Sequence, residues 1–458
     1  MDPKQTSFKA LIFPWLAHGH IFPFLELAKK LSTTKSFHIY FLSTSINLDS
    51  VRKSINDDNT ISIELVELHL PSLPQLLPHY HTTKNIPPHL MPTLMQAFQM
   101  SIPNFSQIIA NLMPDLLIYD GFQPWSAKIA SSLSIPSVLF ATPASAFLSF
   151  FHHQYTHKSF DTYPYPEIFL REYEKRDLAN QGRSMEVKDT EEGIFVSIFE
   201  LSYDIVLIKS CKGIEGKYID YLSNLCRRKI VPTGPLITKN VEKNQESVEI
   251  MDWLSKKSPF STLYISFGSE NYLSGEQMRE IVKGLEISNV NFIWVVRSPI
   301  GSEINSINSI DENLPRDFLD GVKSTSRGMI LKEWAPQAGI LAHPSVGGFM
   351  SHCGWSSVME SVYFGVPILG APLKLDQPVN CRAAVEAGVG VEVMRSENGE
   401  FDGGEVAKAI SEVILSESRE RFRLKAGELS KVMKMEEEDG FGEITEELIR
   451  ICTKKNDE

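Results

Sequence analysis

Residues 334–377 read WAPQAGILAHPSVGGFMSHCGWSSVMESVYFGVPILGAPLKLDQ. Gly347–Met350 is a short apolar run that predicts a strand. A glycine-bearing turn follows, through Gly354, and Ser357–Phe364 then has helical spacing. A strand, a tight turn and a helix start form an anion site, because free backbone amides and the helix dipole point at one spot. His352, Ser356 and Ser357 add side-chain donors there. Glu360, in the first turns of the helix, is an acceptor suited to a ribose diol. Trp334 offers a flat face for a base. Asp376 and Gln377, just before Pro378, offer a carboxylate and an amide for sugar hydroxyls. Taken singly, each has a plainer reading: Trp334 as packing, His352 as a strand-end histidine, Glu360 as helix surface. Their joint spacing points instead to a nucleoside diphosphate carrying a sugar.

Working outward, the same alternation recurs along the chain. Phe8–Pro14, His38–Thr44, Ile61–Leu68, Asp115–Tyr119 and Ser137–Ala141 are short apolar runs. Helical stretches separate them, such as Ile21–Leu31 with a proline near its start. The pattern restarts at Ser261–Phe267, which ends in Gly268–Ser269, and continues with Phe292–Arg297, Met329–Lys332 and Pro367–Leu369. Strands alternating with helices imply βαβ units and parallel sheets. Between the halves, Pro232–Val248 opens with turn residues and becomes polar, as a linker does. The α/β reading is therefore two doubly wound domains facing a central cleft, with ligand loops at the carboxyl ends of their strands. The division expected is 1–238 for the first domain, 239–249 for the linker, 250–435 for the second domain, and a helical tail, 436–458, packing back toward the first. Gly301–Asp311 reads as a mobile surface loop. The charge run Lys434–Asp439 reads as a solvated helix face ahead of an amphipathic stretch, Ile444–Ile451.

Bulk properties agree with this reading. A chain of 458 residues exceeds the roughly 250–300 at which single cores stop growing. A net charge of −12 argues against gripping nucleic acid by its phosphates. The cysteine count is five, odd and widely spaced, which argues against a disulfide framework and a structural zinc site and fits a reducing cytosol. No signal peptide is read at the N-terminus, and no run reaches the ~20 apolar residues of a membrane span. A cytoplasmic monomer is the expectation.

The long box resembles the signature of plant secondary-product UDP-glycosyltransferases, which have the GT-B fold of two Rossmann-like domains. FPWLAHGHI, IYDGFQPW and SFGSE extend the resemblance over essentially the whole chain. It implies that Trp334 stacks on uracil, with Ala335 and Gln337 alongside it and Gln337 near the ribose. Glu360 would hold the ribose hydroxyls. Ser269, His352, Gly354, Ser356 and Ser357 would serve the diphosphate, and Trp355, Asp376 and Gln377 the transferred sugar. The family usually has Asn where this chain has Ser356, which reaches less far. LAHGHIFPFLELAKKL and NFIWVVR look most like the branch that extends sugar chains on glycosides.

Transfer to an alcohol needs a base, and histidine suits neutral pH. His18 and His20 both fall between the first strand and first helix, at the cleft-facing end. His20 matches the family's catalytic histidine and is preferred. Asp120, at the end of Asp115–Tyr119, would hold its tautomer and stabilise the imidazolium; taken alone it reads equally well as a helix N-cap. The implied reaction is a single displacement that turns an α-linked donor into a β-glycoside. No D-x-D is present, so activity without added metal is expected. The UDP-sugar is then a co-substrate and no cofactor is implied.

On the acceptor side, Phe22, Phe122 and Phe147 are candidate pocket residues, and Lys374 reads either as a solvated loop lysine or as a sugar contact. The favoured acceptor is a small glycoside, flavonoid or terpenoid, with glucose from UDP-glucose. Direct glycosylation of an aglycone and other donors (xylose, rhamnose, galactose, glucuronate) stay open. An NAD(P) oxidoreductase is disfavoured because HGHIFPF lacks G-x-G-x-x-G. A nucleotide-sugar-binding protein without turnover is the non-enzyme alternative.

Overall fold

A computed structural model describes residues 7–55, 62–84, 86–184, 198–238, 245–297, 314–332 and 335–454. Gly301–Asp311 and Trp334 lie outside the described residues. The chain forms two compact units, each built on a parallel sheet with helices alternating along the chain, so the α/β doubly wound class read from the sequence holds.

The first sheet comprises β1 (Phe8–Phe13), β2 (Phe37–Ser43), β3 (Ile63–Glu67), β4 (Leu116–Tyr119), β5 (Ser137–Ala141), β6 (Ile205–Ile208) and β7 (Lys229–Pro232). Their order is β3-β2-β1-β4-β5-β6-β7. The second comprises β8 (Thr262–Ser266), β9 (Asn291–Val295), β10 (Gly328–Leu331), β11 (Val346–Ser351), β12 (Ile368–Gly370) and β13 (Gly390–Glu392), ordered β10-β9-β8-β11-β12-β13. Central strands such as LLIY of β4 and IVLI of β6 are buried at every residue. Helices cover both faces of such a strand, which is why it reads as an unbroken apolar run. Edge strand β3 has no fully buried residue. Each sheet reverses its order beside its first strand, between β1 and β4 and between β8 and β11. Open α/β sheets bind ligands at such reversals, outside the strands' carboxyl ends.

Unit boundaries depart from a single cut in the chain. The first unit holds residues 1–164, 185–238 and 435–458, and the second holds 165–184 and 239–434. The C-terminal helix Phe441–Lys454 buries Ile444, Leu448, Ile451 and Cys452 against the first unit's core, beside Ala28 and Leu31. That i, i+4, i+7, i+8 stripe is the face an amphipathic helix buries. Just before it, the carboxylate of Glu436 accepts from the amides of Lys212 and Gly213, each at 2.7 Å, satisfying donors that a helix start leaves unpaired. The charge run therefore contains an anchor as well as a solvated face. Segment 165–184, which the sequence division left in the first domain, joins the second. Arg171 and Glu174 in it are paired with Arg382 and Glu392 there.

Candidate active site

In the first unit, the reversal point gathers a histidine and a carboxylate. β1 leads into the helix His18–Thr33, so His18 and His20 occupy its first turn and not a preceding loop. Pro23 accordingly lies inside the helix, past its free first turn. His20 Nδ1 lies 2.7 Å from Asp120 Oδ2, and Asp120 directly follows β4. Asp120 does not cap the next helix, Pro124–Ser132, whose N-cap is Gln123. Its Oδ1 accepts from the Phe122 amide at 3.1 Å and its Oδ2 from the Trp15 amide at 3.3 Å. With 3% of its side chain exposed, the carboxylate is held by two loops. Thr142, just after β5, places Oγ1 3.1 Å from the same His20 Nδ1. Nδ1 thus faces two oxygens, and in the tautomer that donates from Nδ1 to Asp120 the lone pair lies on Nε2.

Phe122 is 41% exposed. Its ring stacks on Trp15 at 5.2 Å and stands edge-on to His20 at 5.3 Å. Phe22 stands edge-on to the His18 ring instead, and Phe147 is buried against Phe151. Of the three candidate acceptor phenylalanines, Phe122 contacts the His20 ring. Trp15 and Thr142 were not singled out from sequence. Trp15 sits in FPWLAHGHI and was readable there, whereas a lone threonine after β5 carries no sequence signal.

In the second unit, the reversal point is built from glycines. The loop after β8 carries Gly268–Ser269. β11 is followed directly by His352–Cys353–Gly354, and the helix Trp355–Tyr363 starts there with Gly354 as its N-cap. Gly268 has φ +77°, which disfavours any other residue, and a Cβ there would come within 2.7 Å of the His352 ring. A Cβ at Gly354 would come within 2.4 Å of the same ring. His352 is therefore sandwiched between two bare backbones. Burial, reinforced by the Lys374 ammonium, pushes its pKa down to about 4. It is neutral at pH 7 and can contribute a hydrogen bond but not a charge. Its Nδ1 is buried with no partner among the described residues. Ser356 and Ser357 lie in the first turn of the helix, where unpaired amides and the dipole favour an anion.

Two relays extend from this point. Gln337 Nε2 donates to Glu360 Oε2 at 2.7 Å, and Tyr264 Oη donates to Gln337 Oε1 at 3.3 Å. Gln337 is thereby oriented toward the carboxylate assigned to a ribose. Asn380, fully buried, donates to both Cys353 O at 3.0 Å and Asp376 Oδ2 at 2.7 Å. It ties the loop after β11 to the loop after β12. Gln377 Oε1 accepts from the amides of Leu373 and Lys374 at 2.9 and 3.0 Å, leaving its Nε2 for other contacts. Lys374 is half-buried, not solvated, and its Nζ donates to the Glu270 carbonyl at 3.0 Å. Ala335 is buried beside Gln337, Trp355 is buried, and Ser269 is half-buried. Tyr264 and Asn380 escaped the sequence reading, because interior polar groups look like ordinary strand and helix residues.

Residues 238–435 match the family model described as UDP-glucoronosyl and UDP-glucosyl transferase. Residues 7–238 match that described as glycosyltransferase, N-terminal domain. The chain is 48% identical over 442 residues to mogroside IIIx synthase of Siraitia grosvenorii, covering 95% of each. It is 43% identical over 445 residues to beta-D-glucosyl crocetin beta-1,6-glucosyltransferase of Gardenia jasminoides, covering 96% of this chain and 98% of that one. A solved structure from Glycyrrhiza uralensis, complexed with glycyrrhetinic acid 3-O-monoglucuronide, superposes with a TM-score of 0.82 at 25% identity. It covers 99% of this chain and 98% of that one.

Proposed function

Because the chain belongs to the UDP-glycosyltransferase family, we propose that it transfers glucose from UDP-glucose onto a sugar hydroxyl of a small plant glycoside, with His20 as base and Asp120 as its partner. The observation that carries this is the 2.7 Å contact between His20 Nδ1 and Asp120 Oδ2 at the first sheet's reversal point. An imidazole held this way has one tautomer and one job: its Nε2 removes the acceptor's hydroxyl proton as the oxygen attacks the anomeric carbon. The bond from that carbon to the β-phosphate oxygen breaks, UDP departs, and the configuration inverts. Asp120 stabilises the imidazolium that forms. A residue in this role contributes roughly 10²–10⁴-fold.

The donor is assigned to the second unit. Ser269, His352, Gly354, Ser356 and Ser357 would take the diphosphate, with Glu360 and Gln337 on the ribose, Trp334 and Ala335 at the base, and Trp355, Asp376 and Gln377 on the sugar. Backbone amides at a helix start stabilise the leaving group without moving as charge develops. Activity in excess chelator is the expected behaviour. A glycosylated acceptor is supported by the relatives: one is named for acting on a glucosyl crocetin, another for making a mogroside. Phe122, stacked on Trp15 beside His20, would offer the acceptor an apolar face. A cytoplasmic location is supported by five cysteines that are all free thiols, as a reducing compartment keeps them.

The test is product mass after incubation with UDP-glucose and a panel of aglycones, each paired with its monoglucoside. A gain of one hexose on the glucosides is expected. A gain on aglycones alone would refute the acceptor assignment.

A further inference from the structure

Residues 165–184 occur in the chain between β5 and β6 of the first sheet, yet they are packed into the second unit. A buried ionic cluster fastens them. Arg382, on the helix Gln377–Glu386, is 4% exposed. Its Nη1 donates to the Phe169 carbonyl at 2.7 Å, and its Nη2 to Glu174 Oε1 at 2.8 Å and Glu392 Oε1 at 3.5 Å. Arg171 bridges the same two carboxylates, with Nη1 to Glu174 Oε1 at 3.3 Å and Nη2 to Glu392 Oε2 at 3.0 Å. The Phe169 ring lies 4.3 Å from the Arg382 guanidinium. Beyond the charges, Leu170, Tyr173 and Leu178 face Pro372, Leu373 and Pro378 across a cavity of about 10 Å³, room for about one water.

Such a cluster is a poor way to gain stability. Desolvating two carboxylates and their guanidinium partners offsets most of the attraction, and well-packed apolar groups often do as well. What it supplies is position. Arg382 stands less than two turns into a helix whose first residue is Gln377 and whose N-cap is Asp376, so fixing its fork fixes the azimuth of that helix start. The apolar side chains of the segment line that cavity against Pro372, Leu373 and Pro378, on the loop and helix start that carry Asp376 and Gln377.

We propose that residues 165–184 form a strap that sets the position of the donor-sugar loop, with Glu174 and Arg382 as positioning residues for the choice of sugar. This rests on the reading that Asp376 and Gln377 contact that sugar. A displaced loop would misplace hydroxyl contacts on the sugar while leaving the uridine and diphosphate contacts, on other loops, intact.

The experiment compares kcat/KM for UDP-glucose and UDP-galactose, which differ at one sugar hydroxyl, in the wild type and in Glu174→Gln, Glu174→Asp and Gln377→Ala. UDP affinity is measured alongside by calorimetry. Glu174→Asp keeps the charge and shortens the reach, so it reports on position where Glu174→Gln fails to fold. The strap account expects the glucose-to-galactose ratio to fall about tenfold, the scale of one well-made hydrogen bond, with the UDP Kd within about twofold of wild type. A purely structural role would lower both donors equally or weaken UDP as well, and either result overturns the proposal. If Gln377→Ala changes the ratio and the Glu174 variants do not, the strap alone is refuted. If Gln377→Ala keeps the wild-type ratio, the loop reading fails and takes the strap with it.

Discussion

Both sheets reverse their strand order beside their first strand, and the two reversal points are equipped in opposite ways. Beside β1 and β4 stand two titratable side chains in contact, His20 and Asp120, fixed by the backbone amides of Trp15 and Phe122. Beside β8 and β11 stand bare glycine backbone, a helix start and a histidine that burial keeps neutral. Topology supplies the location in both cases; side-chain chemistry decides what happens there. The first point is suited to moving a proton, and the second to holding an anion without one. On the proposed reaction, these are the base and the leaving-group site.

The comparison breaks most visibly at the base. His20→Ala is expected to lower kcat roughly 10³-fold, within the range for a lost general base. Asp120→Asn should bring a loss within the same roughly 10²–10⁴-fold range, by disturbing the tautomer and the imidazolium. Initial rates with UDP-glucose and a responsive glycoside check both. A loss of less than about tenfold in His20→Ala would remove the base from the account.

A smaller effect probes the neutral histidine. The folded pKa of His352 is about 4, below the ~6.5 expected of an unfolded chain. Between those values the unfolded state binds the proton and the folded state does not. Stability is therefore fully present above about pH 6.5 and is lost as pH falls toward 4. Between pH 7 and pH 5 the wild type should lose about 2 kcal/mol more than His352→Gln, read from urea unfolding of both proteins. Equal losses would mean that His352 ionises normally.

The smallest expected effect sharpens the glycine side. Gly268→Ala places a Cβ on a residue at φ +77° and against the His352 ring. The left-handed conformation alone costs about 1–2 kcal/mol, so folding stability should fall by about that much, read from urea unfolding. Unchanged stability would show that the loop relaxes without harm.

How much of this was legible in the sequence depended on the distance between interacting residues. β1, β2, β4, β5 and β8 were readable within a residue or two, since buried strands are unbroken apolar runs. β6, an apolar run of four like β4, was passed over, whereas β7 (KIVP) and β13 (GVE) are short runs broken by a charged residue that mark a strand only once neighbours pair with them. The helix start at His18 was misread because its N-cap is Ala17, which has no capping side chain, and the usual Ser, Thr, Asp or Asn marker is missing. The pairing of His20 with Asp120 was anticipated from residue type and strand-end position, whereas Thr142 and Asn380 emerge only from the fold. Segment 165–184, placed with the first domain in the sequence division, clusters with the second compact unit. Its partners Arg382 and Glu392 lie more than 200 residues along the chain, beyond any local pattern.

The central claim, that the proton is handled in one unit and the nucleotide in the other, is tested most directly by titrating UDP into His20→Ala by calorimetry. The account predicts a Kd within about twofold of wild type in a protein that has lost its turnover. A His20→Ala protein that binds UDP tenfold or more weakly would contradict it, because the histidine would then belong to the nucleotide site.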